Sequence, residues 1–481
     1  MDYEPVIGLE IHVELKTKSK MFCRCPNDSG ETHPNFNVCP VCLGHPGTLP
    51  EINIEAVRSV LRLALALDAE IPSYSKFDRK SYFYPDLPKG YQLSQYDEPL
   101  ASGGEIRGIR IRRIHLEEDA GRLQHDKGEN TLVDFNRAGV PLMELVTEPD
   151  IRSGDEAVVF AHELRLVLRY LDISSADMEK GEMRIEANIS LRKKDGEFGT
   201  KAEIKNLNSF RALKDAIDYE IERQGKILNR GEKVRQETRG WKEDGRTVSQ
   251  RSKEEAHDYR YLPEPDLPPL NLTDAKFFDL NELKLSVPEL PEEKRKRFIK
   301  EFGLDEAKTE MLIEDRELAR FFEETISEIF ADNRMSTDNR EDRIRLAFNY
   351  LTTDLKGIFN NKRTSWLELK ISPRSFAELI NLIAEGKISS RMAKDILAEM
   401  FVKGLTPEEI VANQGIKISG EDEVSRAVGE ALAANPTAVA DYQKGKESAL
   451  QFLVGKVMAL LKGRGDPAEI IRQMKEELKM K

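Results

Sequence analysis

Four cysteines are the sharpest chemical signal in the chain: Cys23 and Cys25, then Cys39 and Cys42, a C-x-C pair and a C-x2-C pair separated by thirteen residues. Two thiol pairs on facing turns supply four soft ligands for tetrahedral zinc, and Cys39-Pro40-Val41-Cys42-Leu43-Gly44 has the form of a zinc knuckle. Four sulfurs leave no open coordination position, so the expected role is folding and not catalysis. His33 and His45 stand nearby, and with the ligand count already met they read as loop histidines. Two disulfides are the other reading. They fit poorly with a start, Met1-Asp2-Tyr3-Glu4-Pro5, that lacks the basic and apolar regions of a secretory leader, and the chain is expected in the cytoplasm.

A second set of chemical groups lies on strands. From Val6 to Leu15 the residues alternate, so Leu9, Ile11, Val13 and Leu15 face one way and Glu10, His12 and Glu14 the other. A half-buried antiparallel strand with a wet polar face explains one such segment. The pattern recurs, however. Arg184 to Arg192 sets Arg184, Glu186, Asn188, Ser190 and Arg192 on one face, Lys201 to Lys205 repeats it, and Glu144 and Glu148 share a face within Leu142 to Glu148. Glu144 sits in an otherwise apolar strand, where a charge needs a partner.

Glu117, Glu118 and Asp119 follow His115 and Leu116 and would repel one another without a cation. A hard divalent ion such as Mg2+ takes oxygen ligands and keeps waters for phosphate, which makes the cluster a metal candidate; a solvated acidic turn is the alternative. The strand leading to it from Ile109 loses its alternation at Arg112-Arg113, which predicts a bulge and leaves the faces beyond it open. Between Lys76 and Gln95, aromatic residues interleave with Lys and Arg, and Pro85, Pro88 and Gly90 break both periods. Such a loop can stack a base and neutralise phosphates, or it can be an aromatic cluster packed under a loop.

The elements that must position these groups follow from length and pattern. A chain of 481 residues implies two to four domains, and 33% charged with 39% hydrophobic residues fits a globular protein with no run long enough to span a membrane. The net charge of -12 argues against indiscriminate nucleic-acid binding. From Pro436 onward, nine Lys or Arg against six Asp or Glu leave the end at +3 and the remainder at -15, compatible with local RNA contact or with a solvated helical surface. Helical spacing covers Ile54 to Leu67, Ser153 to about Leu171 with Ser153 and Glu156 as a capping box, and Phe210 to about Gln224. The proline-rich strip Asp258 to Leu270 marks a rigid segment near the end of the first domain. From Pro291 the pattern is helical, with Ser372 to Ile383, capped by Ser372 with Pro373 at the first position, then Ser390 to Phe401 and Thr406 to Val411. Asn435-Pro436 and Lys462-Gly463-Arg464-Gly465 punctuate the last part. No phosphate loop, dinucleotide fingerprint or nucleophile elbow is present, so a nucleotide would have to bind on the sheet.

Taken in order, Gly8 to Leu15, Lys76 to Asp86, His115 to Gly121, Asn136 to Leu142, Glu148-Pro149-Asp150, Lys205 to Ser209 and Asp258 to Leu270 resemble the B subunit of the tRNA-dependent aspartyl/glutamyl amidotransferase, the GatB family. Leu262 departs from the family's Phe. The large inserted domain of the archaeal E subunit is missing, so the chain resembles the B type that works with A and C subunits. The resemblance implies an α+β fold: a cradle-shaped antiparallel β-sheet domain with flanking helices at 1–290, an all-α helical domain at 291–405, and a small α-helical, YqeY-like tail at 406–481 that contacts tRNA.

It also implies a reaction. ATP phosphorylates the side-chain carboxylate of Glu-tRNA(Gln) or Asp-tRNA(Asn), and ammonia channelled from the A-subunit glutaminase displaces phosphate. By resemblance His12, Glu118 and Glu144 match the Mg2+ positions, with Glu10 beside them. From chemistry, Lys80 and Lys205 are expected to contact phosphates with Arg184 nearby, while Glu186 and Asn188 position substrate on the same face. A non-enzymatic zinc-containing RNA-binding protein is the rival reading; it explains the cysteines and the basic end and leaves Glu118, Asp119 and Glu144 without a purpose. A self-sufficient amidotransferase would need a glutaminase nucleophile, and all four thiols are already committed.

Overall fold

The computed structural model describes residues 3–28, 30–125, 130–194, 196–252, 259–331, 340–413, 421–461 and 467–479. Asp258 and the Lys462 to Gly465 break lie outside the described residues. By contact the chain divides into two units, Met1–Glu293 and Lys294–Lys481.

In the first unit the strands are β1 (Tyr3–Glu14), β2 (Tyr74–Ser75), β3 (Asp78–Ser81), β4 (Tyr91–Ser94), β5 (Glu105–Ile106), β6 (Ile109–Glu118), β7 (Arg122–Gln124), β8 (Leu132–Asp134), β9 (Pro141–Thr147), β10 (Met183–Lys193), β11 (Ala202–Leu207), β12 (Glu237–Lys242), β13 (Arg246–Ser252), β14 (Leu262–Pro263) and β15 (Leu270–Asn271). Eight of them form one sheet in the order β13-β12-β11-β10-β1-β9-β6-β5. Neighbours run antiparallel except β11 and β12, so the expected antiparallel sheet is a mixed one. The reason is the connection: helix α3 (Phe210–Asn229) carries the chain from β11 to the start of β12, and a crossover of that kind makes neighbouring strands parallel.

The alternation in β1 sets the layers. Leu9, Ile11 and Val13 are buried, and helices α1 (Ile54–Ala66), α2 (Gly154–Tyr170) and α3 complete one core with them. Each such side chain withdrawn from water contributes roughly 1.5–3 kcal/mol, which holds β1 firmly at the sheet centre. Asn53 caps α1, Ser153 caps α2 and Ser209 caps α3, each side chain accepting from backbone amides of the first turn. The other face of the sheet is left for polar side chains. A three-stranded sheet, β14-β3-β4, and the β15-β2 pair stand beside it, so the proline-rich strip is a wall element as well as an end of the unit.

The second unit is helical: α5 (Pro291–Phe302, beginning just before the division), after the short α4 (Leu280–Leu285) of the first unit, then α6 (Glu306–Ile313), α7 (Arg316–Phe330), α8 (Arg340–Asn349), α9 (Lys356–Lys362), α10 (Pro373–Ala384), α11 (Ser390–Lys403), α12 (Pro407–Asn413), α13 (Glu421–Ala434), α14 (Pro436–Gln443), α15 (Glu447–Leu460) and α16 (Pro467–Lys479). A π-helical stretch, Tyr350–Leu355, joins α8 to α9. Ser372 caps α10 with Pro373 at its first position. Helices α13, α15 and α16 bury their own core of Val428, Leu453, Val457, Ile470 and Met474.

Candidate functional site

The register of the sheet aligns chemistry across four strands. His12 on β1 stands opposite Glu144 on β9 and opposite Arg184 on β10, and Glu144 stands opposite His115 on β6. Two residues further along, on the same face, Glu10 stands opposite Glu186. Side chains directly across antiparallel strands share a face, so Arg184, His12, Glu144 and His115 form one row by backbone pairing alone. They line an open cleft, with Lys80, Glu117, Lys205 and the rings of Tyr82, Tyr259 and Tyr261 around them.

Distances within the row are short. His12 Nε2 lies 3.4 Å from Glu117 Oε1 and 3.5 Å from Glu144 Oε2, while His115 Nε2 lies 3.3 Å from the same Glu144 oxygen. Lys205 Nζ is 2.9 Å from Glu186 and 3.9 Å from Glu203, whose other oxygen accepts from Thr238 Oγ1 at 2.8 Å. Arg184 donates to Asp119 Oδ2 at 2.8 Å. Lys80 Nζ sits 5.0 Å from the centre of the Tyr259 ring and 5.9 Å from that of Tyr82, within cation–π range.

Burial and charge act against each other throughout the row. Burial disfavours imidazolium at His12, but hydrogen bonds to Glu117 and Glu144 overcome it and raise its pKa well above the usual value. Burial would raise Glu144, yet His115 and His12 hold its carboxyl well below the ordinary range. Glu117 is likewise lowered against its burial by His12 and Lys80. Glu10 goes the other way: burial, reinforced by Glu144, pushes it up to about 7. Burial opposes the Lys80 ammonium, and Glu117, Tyr261 and Glu144 keep its pKa raised. The acids of this face are thus arranged for cations.

Glu118 does not join them. The register slips between Ile111 and Arg113, as the Arg112-Arg113 break predicts, and Glu117 instead follows His115 on the cleft side. Glu118 points away, pairs with Lys89 Nζ and accepts from Leu93 N at 2.9 Å. Asn188, in register with Gly8 and Glu203, lies outside the residues that line the cleft. Glu148 pairs with Arg112 at 2.8 Å beyond the end of β9.

Near the entrance to α1 the four thiols gather, all within 4.8 Å of one another. Ligands about 2.3 Å from a tetrahedral zinc stand about 3.8 Å apart, so this set can hold that ion. Cys39 N donates to Cys42 Sγ at 3.2 Å. Cys42 is lowered to about 5, first by the Cys23 thiol and then by the Cys39 amide and Lys20, while burial helps to push Cys25 up to about 11.

Two family models match the chain. The family model described as GatB/GatE catalytic domain matches residues 5–277, and the one described as GatB domain matches residues 335–478. The chain belongs to the GatB family. A relative from Thermotoga petrophila, named as the B subunit of aspartyl/glutamyl-tRNA(Asn/Gln) amidotransferase, is 47% identical over 483 residues, covering 97% of each chain. Relatives of the same name from Persephonella marina and Crocosphaera subtropica are 45% identical over 490 residues and 44% identical over 500, covering at least 98% of each chain.

The cleft of this GatB chain contains more than the sequence pattern points to. Glu10, His12, Glu144, Lys80, Arg184, Glu186 and Lys205 do converge. Glu117, expected only as one of the three acids of the cluster after His115, and Tyr82, expected only within the aromatic stretch, join them, as do His115, Arg113, Tyr259 and Tyr261, which no sequence reading singled out for the site. The alternation of His115 and Glu117 was the available signal for those two, and the bulge obscured it. Two overlapping donor sets, Glu10 with His12 and Glu144, and His115 with Glu117 and Glu144, each keep their ligand atoms within 4.8 Å, so the GatB cleft fits a divalent cation. Among the described residues no helix is long and apolar enough to cross a membrane.

Proposed function

We propose that the chain is the B subunit of a cytoplasmic, heterotrimeric tRNA-dependent amidotransferase, assembled with a glutaminase A subunit and a C subunit. It converts Glu-tRNA(Gln), Asp-tRNA(Asn) or both to the corresponding amide. The observation that carries the reading is the registered row Arg184, His12, Glu144 and His115, flanked by Lys80 and Lys205 in one cleft of a GatB-family chain. ATP with Mg2+ supplies the phosphoryl group that turns an unreactive carboxylate into an acyl phosphate, from which ammonia displaces phosphate.

The chain's own residues do the positioning. Glu144, with Glu10 and His12 on one side and His115 and Glu117 on the other, would hold the cation, which would require His12 and Glu10 to give up their protons. Lys80, Lys205 and Arg184 offset phosphate charge in a partly buried site, where each charge counts for more than in water. Tyr82, Tyr259 and Tyr261 wall the cleft against bulk water and keep Lys80 oriented. The four thiols hold a structural zinc, and Glu186 with Lys205 positions substrate at the far end of the row. A non-enzymatic RNA-binding protein would have no use for this concentration of buried acids, whose assembly costs stability.

The test is reconstitution with A and C subunits, glutamine, ATP and Mg2+ on both mischarged tRNAs. Amide on at least one is expected; active glutaminase with no amide on either would refute the reading. Deletion after Gly404 should raise the KM for tRNA roughly tenfold or more, since phosphate contacts supply much of the affinity of such surfaces.

A further inference from the structure

Lys20 has no exposed surface, and the cleft chemistry makes no use of it. Its Nζ donates to Asn37 O at 2.7 Å and to Phe135 O at 3.3 Å, and lies 3.9 Å from Cys42 Sγ. Two carbonyls and one thiol therefore account for three N–H donors. Zinc in four thiolates carries a net double negative charge, and a buried charge of that kind needs a counter-ion beside it. The same lysine touches the segment that leads to the cleft. Met21 N donates to Gly139 O at 2.7 Å, Gly139 N donates to Asp119 O at 2.9 Å, and the Asp119 carboxylate receives Arg184. A methyl group placed on Gly139 would lie 3.5 Å from Lys20 Cδ and 3.6 Å from Cys42 Cβ, so the three are packed together.

We propose that Lys20 is the counter-ion of the four-thiol centre and the positioning residue that ties it, through Phe135 and Gly139, to the Asp119–Arg184 pair in the cleft. Occupancy of the thiols then fixes where Arg184 stands, although no thiol reaches the substrate. The inference rests on a metal in the four thiols, which metal analysis checks separately.

The full-length chain is compared as wild type, Lys20→Met and Lys20→Arg, first with cobalt in place of zinc. K20M should move the sulfur-to-cobalt charge-transfer band to lower energy, because the positive charge that steadies the thiolate electrons is gone. It should also lose zinc to a chromophoric chelator at least tenfold faster, and K20R should return both readouts towards wild type. A K20M band that overlays wild type, with zinc loss within twofold, overturns the counter-ion. The link to the cleft is tested on the wild-type chain, which also serves if K20M does not fold. Stripping zinc should speed amide hydrogen exchange at least tenfold in residues 119–121 and 135–140 while β12 and β13 stay unchanged; equal exchange with and without zinc overturns the link. None of these readouts uses amide formation. A chain that binds no zinc overturns the metal reading and the proposal together, whereas a zinc-bound chain indifferent to Lys20 overturns the proposal alone.

Discussion

The four cysteines lie between residues 23 and 42, whereas Glu10, His12, Glu117, Glu144 and Arg184 come from four strands spread from residue 10 to residue 184. In the first region two short turns deliver the ligands, so spacing along the chain and arrangement in space are nearly the same thing. In the second, only the pairing of β10, β1, β9 and β6 makes neighbours of the functional groups, and a slip of one residue would turn a strand's acids to the core. One site is local and closed, suited to a structural ion. The other is assembled and open, suited to substrates.

The comparison breaks most visibly at Glu144, which touches both histidines. Glu144→Gln should reduce ATP-dependent amide formation by roughly a hundredfold to a thousandfold while glutaminase activity in the complex persists, since one misplaced preorganised charge costs two to three orders of magnitude. Loss of both activities would mean that the row is structural. Cys42→Ser should do the opposite: one zinc is lost and thermal unfolding shows a destabilisation of about 4 kcal/mol or more, the range expected when a structural metal goes. A variant with wild-type melting would make the thiol centre ornamental to folding.

How much of this was legible follows from the same contrast. The thiol set was complete in the sequence. On β1 the alternation placed Glu10 and His12 correctly, because a strand whose apolar face is fully buried has one permitted face for its polar residues. On β6 the sequence marked the Arg112-Arg113 irregularity without saying how many residues it would slip, and Glu118 was expected where Glu117 stands. Tyr259 and Tyr261 were hidden because a proline-rich strip carries no period; only its pairing of Leu262 with Arg79 and of Leu270 with Ser75 brings it back along the cleft. The parallel β11–β12 pair depends on the path of α3, which no local pattern records.

A smaller effect sharpens the picture of the cleft as a site that gives up stability for chemistry. Glu10 has its pKa pushed from the ordinary 4.5 to about 7, so the folded chain binds that proton more tightly than the unfolded one. The stabilising contribution is present below about pH 4.5 and is lost as pH rises through about 7. Glu10→Gln, which mimics the protonated acid, should match wild type at pH 4 and exceed it at pH 8 by on the order of 1–3 kcal/mol in metal-free buffer. Denaturant unfolding at the two pH values measures this, and equal stability at both would show that Glu10 is not strained.

Register, through the bulge in β6, puts Glu117 and not Glu118 beside His12 and Glu144. Manganese binding to the purified chain, followed by electron paramagnetic resonance, tests it without any partner or tRNA. Glu117→Gln should weaken binding at least tenfold. Glu118→Gln, which disturbs the pair with Lys89 and costs some stability, should leave the affinity within about twofold, because losing a ligand changes binding far more than losing a distant charge. The reverse outcome, binding lost in Glu118→Gln and kept in Glu117→Gln, would place Glu118 and not Glu117 at the cation.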